Sequence, residues 1–125
     1  MKLRIKGNSM RFRVSPSEMR RLLSAERIEE VIHFGPEPDA RLTYALEQAP
    51  SKEGITVRYR PQEVTVVLST ESARRWAEGD EVGIYGSINI GHGQLELVVE
   101  KDFACLDRSE GNEDTFANPK GAQAC

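Results

Sequence analysis

Apolar and polar residues alternate through most of this chain, and in two places the period lengthens to that of a helix. Leu3 and Ile5 alternate with Lys2, Arg4 and Lys6; the phase then slips at Gly7-Asn8-Ser9, and Met10, Phe12 and Val14 become the apolar positions. A strand keeps one face inward only while its period is strictly two, so the slip predicts a bulge or bend within residues 2–14. Ser15-Pro16-Ser17-Glu18 has the form of a helix start, with a serine cap, a proline at the first helical position and a glutamate able to reach back. Met19, Leu22 and Leu23 give that helix an apolar stripe. At about two to three turns it is too short to stand unless docked on a sheet. Strands follow over 28–34 and around Leu42, Tyr44 and Leu46, which alternate with Arg41, Thr43 and Glu47. Gly35-Pro36-Glu37-Pro38-Asp39 separates them.

The same order then recurs. Residues 12–28 return in kind and spacing at 66–82, 54 positions on: Ser15 as Ser69, Met19 as Ala73, Arg20-Arg21 as Arg74-Arg75, Leu22 as Trp76, Glu26 as Asp80 and Ile28 as Val82. Residues 49–54 form the seam. Ile55, Val57 and Tyr59 run into a tight turn at Pro61-Gln62 and a strand through Val64, Val66 and Leu68. Residues 70–77 repeat the helix, with Ala73, Trp76 and Ala77 inward and Gly79 as its stop. Residues 81–90 and 94–103 make a hairpin closed by Gly91-His92-Gly93.

These elements predict a single α+β domain over 1–125, a tandem pseudo-twofold repeat of β-α-β-β units. Its halves are about 1–49 and 54–103, with mainly antiparallel sheet, two short helices on the dry face and an irregular tail over 104–125. Packing about a pseudo-twofold axis would set the first strands of the two halves side by side.

Composition narrows the class. In 125 residues, 38% are hydrophobic and 30% charged, which suits a globular domain with a core. No apolar run approaches the ~20 residues of a membrane span, and the charged N-terminal alternation does not match a signal peptide. A cytoplasmic protein without membrane association, and with reduced Cys105 and Cys125, is therefore expected. Lys2, Arg4, Lys6, Arg11 and Arg13 form a basic stripe, with Arg58 and Arg60 as further cations. Nucleic acid is nevertheless not the expected partner: the net charge is −3, aromatics are 6% of the chain, and the chain lacks basic-aromatic interleaving of the kind that stacks bases. The plainer reading is a solvated strand face, paired in part with Asp102, Asp107, Glu110, Glu113 and Asp114.

Asp102, Cys105 and Asp107, with Cys125, His33 or His92, are the candidate metal ligands. They lack closely spaced pairs such as Cys-x-x-Cys, so neither a metal site nor a cofactor is expected. Cys105 as a nucleophile would need a base that the sequence does not place, and a small buried hydrophobe is the simpler role. With no phosphate loop, nucleophile elbow or paired-histidine motif, no catalytic residue is assigned. The leading expectation is a non-enzymatic module that binds a small ligand or partner in a cleft between the halves. Trp76, Tyr44, Tyr59, Tyr85 and Phe34 are the rings available to line it, with Arg41, Glu29 and Glu30 as polar anchors. Any one of these rings serves as readily in a core. A small enzyme or metal protein built on Cys105 is one alternative, and an interaction protein using the basic stripe is another. An open last strand would also leave pairing of two copies available.

Two runs, KLRIKGNSMRFRVSPSE and VEKDFACLDR, with Asn118-Pro119 and a terminal Cys125, resemble signatures of a family of small uncharacterised bacterial proteins. The likeness spans nearly the whole chain; it implies a conventional full-length protein and carries no activity. Separately, strand-helix-strand-strand used twice is similar to the tandem module of gyrase-inhibitor-like proteins, which bind small molecules between their halves. That similarity implies a groove here, on topology alone.

Overall fold

The computed structural model describes residues 1–103 and 114–117. Among them the chain forms β1 (Lys2–Lys6), β2 (Ser9–Val14), α1 (Pro16–Leu23), β3 (Ile28–His33), β4 (Arg41–Ala49), β5 (Ile55–Arg60), β6 (Glu63–Ser69), α2 (Thr70–Glu78), β7 (Gly83–Asn89) and β8 (Gln94–Lys101). The phase slip near Gly7 is a hairpin turn rather than a bulge or bend. Lys6 pairs with Ser9 and Ile5 with Met10 across Gly7-Asn8, and Gly7 has φ 56°. Residues paired across a two-residue turn face the same side, so the inward positions pass from odd to even numbers. Pro61-Gln62 makes the equivalent turn between β5 and β6, with Gln62 at φ 68°. The repeat therefore begins a strand earlier than the sequence suggested and reads β-β-α-β-β in each half.

Two four-stranded sheets result, ordered β1-β2-β8-β7 and β3-β4-β6-β5. Their outer pairings are antiparallel and their central ones, β2 with β8 and β4 with β6, are parallel. The halves are interlaced. Each helix carries the chain from one sheet to the other, so β2 and β6 lie in different sheets instead of side by side. Two side chains at the turns fasten the parallel pairs in matching ways. Asn8 donates from Nδ2 to the Gln94 carbonyl at 2.8 Å, and Gln62 from Nε2 to the Asp39 carbonyl at 2.8 Å. Their own carbonyls accept from Glu96 N and Thr43 N.

Both helices begin as their sequence predicts. Ser15 caps α1 and accepts from Glu18 N at 3.3 Å, while Glu18 accepts from Ser15 N at 3.0 Å, a complete capping box. Ser69 caps α2 through Ser72 N at 3.0 Å. Gly79 ends α2 in extended backbone (φ −107°), so its role is not the left-handed conformation; a Cβ there would lie 2.8 Å from the Arg75 carbonyl oxygen. The helices bury Met19, Leu22, Ala73 and Trp76 in a single cluster with Phe12, Val14 and Val99 of one sheet and Leu46, Val66 and Leu68 of the other. No helix among the described residues is long and apolar enough to cross a membrane.

Part of the expected tail is described. Phe116 forms a parallel bridge to Phe103 with ring centroids 5.9 Å apart, and Asp114 Oδ2 accepts from Ser17 Oγ at 2.5 Å. That bond is the main reason the Asp114 carboxyl titrates below its ordinary value.

Candidate functional site

Strand direction sets the two ends of the sheet pair apart. β2 and β6 both run into helices, so α1 and α2 close one end, and the connections at 7–8, 34–40, 61–62 and 90–93 gather at the other. Burial falls from the helix end to the loop end along much of the inward faces, although Leu97 and Val64 stay buried beside Met10 and Tyr44. Phe12, Val99, Leu46 and Val66 are fully buried. One register step on, Met10 and Tyr44 are half-buried, while Ile5 is 59% and Tyr59 71% exposed. Beyond them Leu42 and Leu95 are half-buried, Ile32 and Ile90 are exposed, and Phe34 is 68% exposed. The halves contribute alike: Ile5 matches Tyr59, Met10 matches Val64, and Ile32 matches Ile88 by their places in the two sheets. The loop end is thus an apolar rim between the sheets.

This geometry brings together some of the rings that the sequence put forward and separates others. Tyr59 and Phe34 stand at the loop-end rim, with Tyr44 just inside it, its ring 6.4 Å from Phe12 of the opposite sheet. Burial is the first reason that the Tyr44 hydroxyl titrates above its ordinary value, with the charges of Glu30 and Glu18 adding to it. Trp76 is 0% exposed at the helix end, where its Nε1 donates to the Val82 carbonyl at 3.0 Å. Tyr85 is 62% exposed on the outward face of the first sheet, away from the rim. Arg41 opens β4 at the loop end and donates to the Pro38 carbonyl. Glu30 lies 3.0 Å from the Met1 ammonium, and Glu29 lies 2.7 Å from Arg27. His33 and His92 are exposed.

The outward faces differ in how their charges are met. On the second sheet, Arg27 reaches Glu29, Glu47, Glu63 and the hydroxyl of the buried Thr65. Arg58 meets Glu47 at 3.1 Å. Burial opposes the charged form of Glu47, but bonds from Arg27 and Arg58 outweigh it and hold the carboxyl below its ordinary value. On the first sheet the basic stripe is two adjacent rows, Lys2, Arg4 and Lys6 on β1 and Arg11 and Arg13 on β2. Lys2 meets Asp102 at 2.9 Å, and Arg11 and Arg13 share Glu100 at 3.7 and 3.3 Å. Arg4, Lys6, Ser9 and Arg11 line a shallow depression, and among the described residues Arg4 and Lys6 have no acidic partner. The register places Tyr85, Val98, Arg11 and Arg4 in one line across this face. The sequence offers the cations and Tyr85 separately; only strand pairing sets them on one face, two strands apart.

Of the candidate metal ligands, Asp102 is buried and bound to Lys2. Cys105, Asp107 and Cys125 lie outside the described residues. Among the described residues no three His, Cys, Asp or Glu side chains come together as a ligand set. Among known protein families, the model of a family of unknown function, DUF7009, matches residues 1–120. No curated protein and no solved structure matches, and the likeness to gyrase-inhibitor-like modules gains no support from them.

Proposed function

The chain belongs to this family of unknown function, and we propose that it is a non-enzymatic binding module. Its ligand is a small molecule with apolar or aromatic surface, seated at the loop end between the two sheets. One observation carries this reading: Ile5, Ile32, Phe34, Tyr59 and Ile90 are all exposed at that single end of the molecule. Large apolar side chains scattered singly over a surface need no explanation, whereas several gathered at one end between two layers offer a ligand apolar surface. Arg41, which opens β4 at the same end, is the proposed polar anchor. A cytoplasmic setting suits a chain with two cysteines.

A screen of small aromatic and aliphatic compounds, read by shifts of backbone amide resonances, tests the proposal. Trp76 fluorescence is the wrong reporter, since the indole is sealed in the core at the far end. Hits should perturb the amides of residues 5, 32, 34, 59 and 90. Tyr59→Ala should weaken binding roughly tenfold or more, the contribution of one large buried side chain. Tyr85→Ala should leave it unchanged. A screen without hits, or hits that map away from this rim, would overturn the reading.

A further inference from the structure

The outward face of the first sheet takes no part in that site. From its side chains we propose that it binds single-stranded nucleic acid, with the cations of β1 and β2 along the phosphates and Tyr85 stacking on a base.

The first ground is an excess of cations. Lys2, Arg4, Lys6, Arg11 and Arg13 share this face with Glu96 and Glu100 on its strands and with Asp102, which meets Lys2. Glu100 is divided between Arg11 and Arg13, and Glu96 accepts from the Ser87 hydroxyl at 2.8 Å. Arg4 and Lys6 stay without a carboxylate among the described residues. The chain's net charge of −3 does not bear on this, because contact electrostatics follow the local face.

The second ground is their layout. Alternate residues of a strand lie about 6.6–6.8 Å apart and neighbouring strands about 4.7–4.9 Å apart, so these cations form a track about 13 Å long. A socket for one phosphate would need them aimed at one point; a track suits a linear polyanion. The third ground is Tyr85, exposed and in line with Arg11 and Arg4. Two strand spacings, about 9–10 Å, separate it from Arg11. A bare polyphosphate or an anionic lipid surface gives that ring nothing to stack on, and a duplex hides its base faces. A single strand offers backbone charge and open bases together.

Fluorescence anisotropy of the full chain with a labelled single-stranded oligouridylate tests the proposal. Saturable binding is expected, with a log–log salt slope of about −2 to −3, as three or four neutralised phosphates would give. Arg4→Glu with Lys6→Glu should weaken binding at least tenfold, and the slope should fall by about 1.4, as two lost contacts imply. Tyr85→Ala should cost roughly five- to hundredfold in affinity through lost stacking. Arg60→Glu, on the other sheet, should change nothing, and circular dichroism of each variant confirms its fold. The proposal is overturned by a flat titration or by binding indifferent to Tyr85→Ala. It is equally overturned if duplex or anionic phospholipid vesicles bind as tightly, or if Arg60→Glu is as damaging as the β1 pair.

Discussion

Ala25 sits at φ 64°, just past the end of α1. Its amide donates to the Leu22 carbonyl and the Glu26 amide to the Arg21 carbonyl, the paired bonds of a Schellman cap. Glycine ordinarily fills this position, because a Cβ in the left-handed region crowds the following carbonyl. Ala25→Gly removes that crowding, at the cost of a more flexible unfolded chain. The net gain should be about 0.5–1 kcal/mol of stability, read as a higher urea midpoint at unchanged slope. A lower midpoint would mean that the alanine methyl has a contact outweighing its strain. The cap also marks a limit of residue-level reading. Ser15, Pro16 and Glu18 announce their roles by type and spacing, and the structure places them accordingly. Ala25 announces nothing, since alanine is the least informative residue about a helix end.

Most elements were legible, and the reasons the rest were not are specific. Alternation exposes inward faces, so β4 to β6 and the β7–β8 hairpin could be read directly. It is blind to which strand lies alongside, which is why the parallel pairs β2 with β8 and β4 with β6 left no trace in the sequence. Gly7-Asn8 looked like a bulge because a two-residue turn produces the same slip of phase. Where the edges of the two sheets meet, one glycine decides the spacing. A Cβ built on Gly86 of β7 would lie 2.2 Å from Cγ2 of Ile55 on β5, and Ile55 is buried. Gly86→Ala should therefore force the edges apart and cost about 1–3 kcal/mol. Ile55→Ala should cost about 2–5 kcal/mol alone through its cavity, and clearly less in the Gly86→Ala background. Chemical unfolding of the double-mutant cycle measures that coupling, and simple additivity would deny the contact.

At the scale of the molecule, the repeat was visible as a constant spacing but its consequence was not. Within the first half the only strand pairings are two hairpins, β1 with β2 and β3 with β4. The second half is the same, with β5–β6 and β7–β8. Isolated two-stranded hairpins are marginal in water, so neither half contains a sheet able to stand alone. Each becomes four-stranded only when β2 meets β8 and β4 meets β6. The rim and the basic face inherit this dependence: Ile5 and Ile90, or Arg11 and Tyr85, come from opposite halves and share a surface through that pairing alone. The candidate site was therefore legible as a list of side chains and illegible as a place. If the chain is cut in the loop between β4 and β5, fragments 1–52 and 53–125 should each lack a folded monomeric form. Mixing them should restore native circular dichroism as a one-to-one complex in analytical ultracentrifugation. Because the halves share one plan, fragment 1–52 at high concentration should also pair with itself, β2 of one copy taking the place of β6 beside β4 of the other. A half that folds as a monomer would mean that its hairpins close on each other, and the interlaced sheets would have to be abandoned.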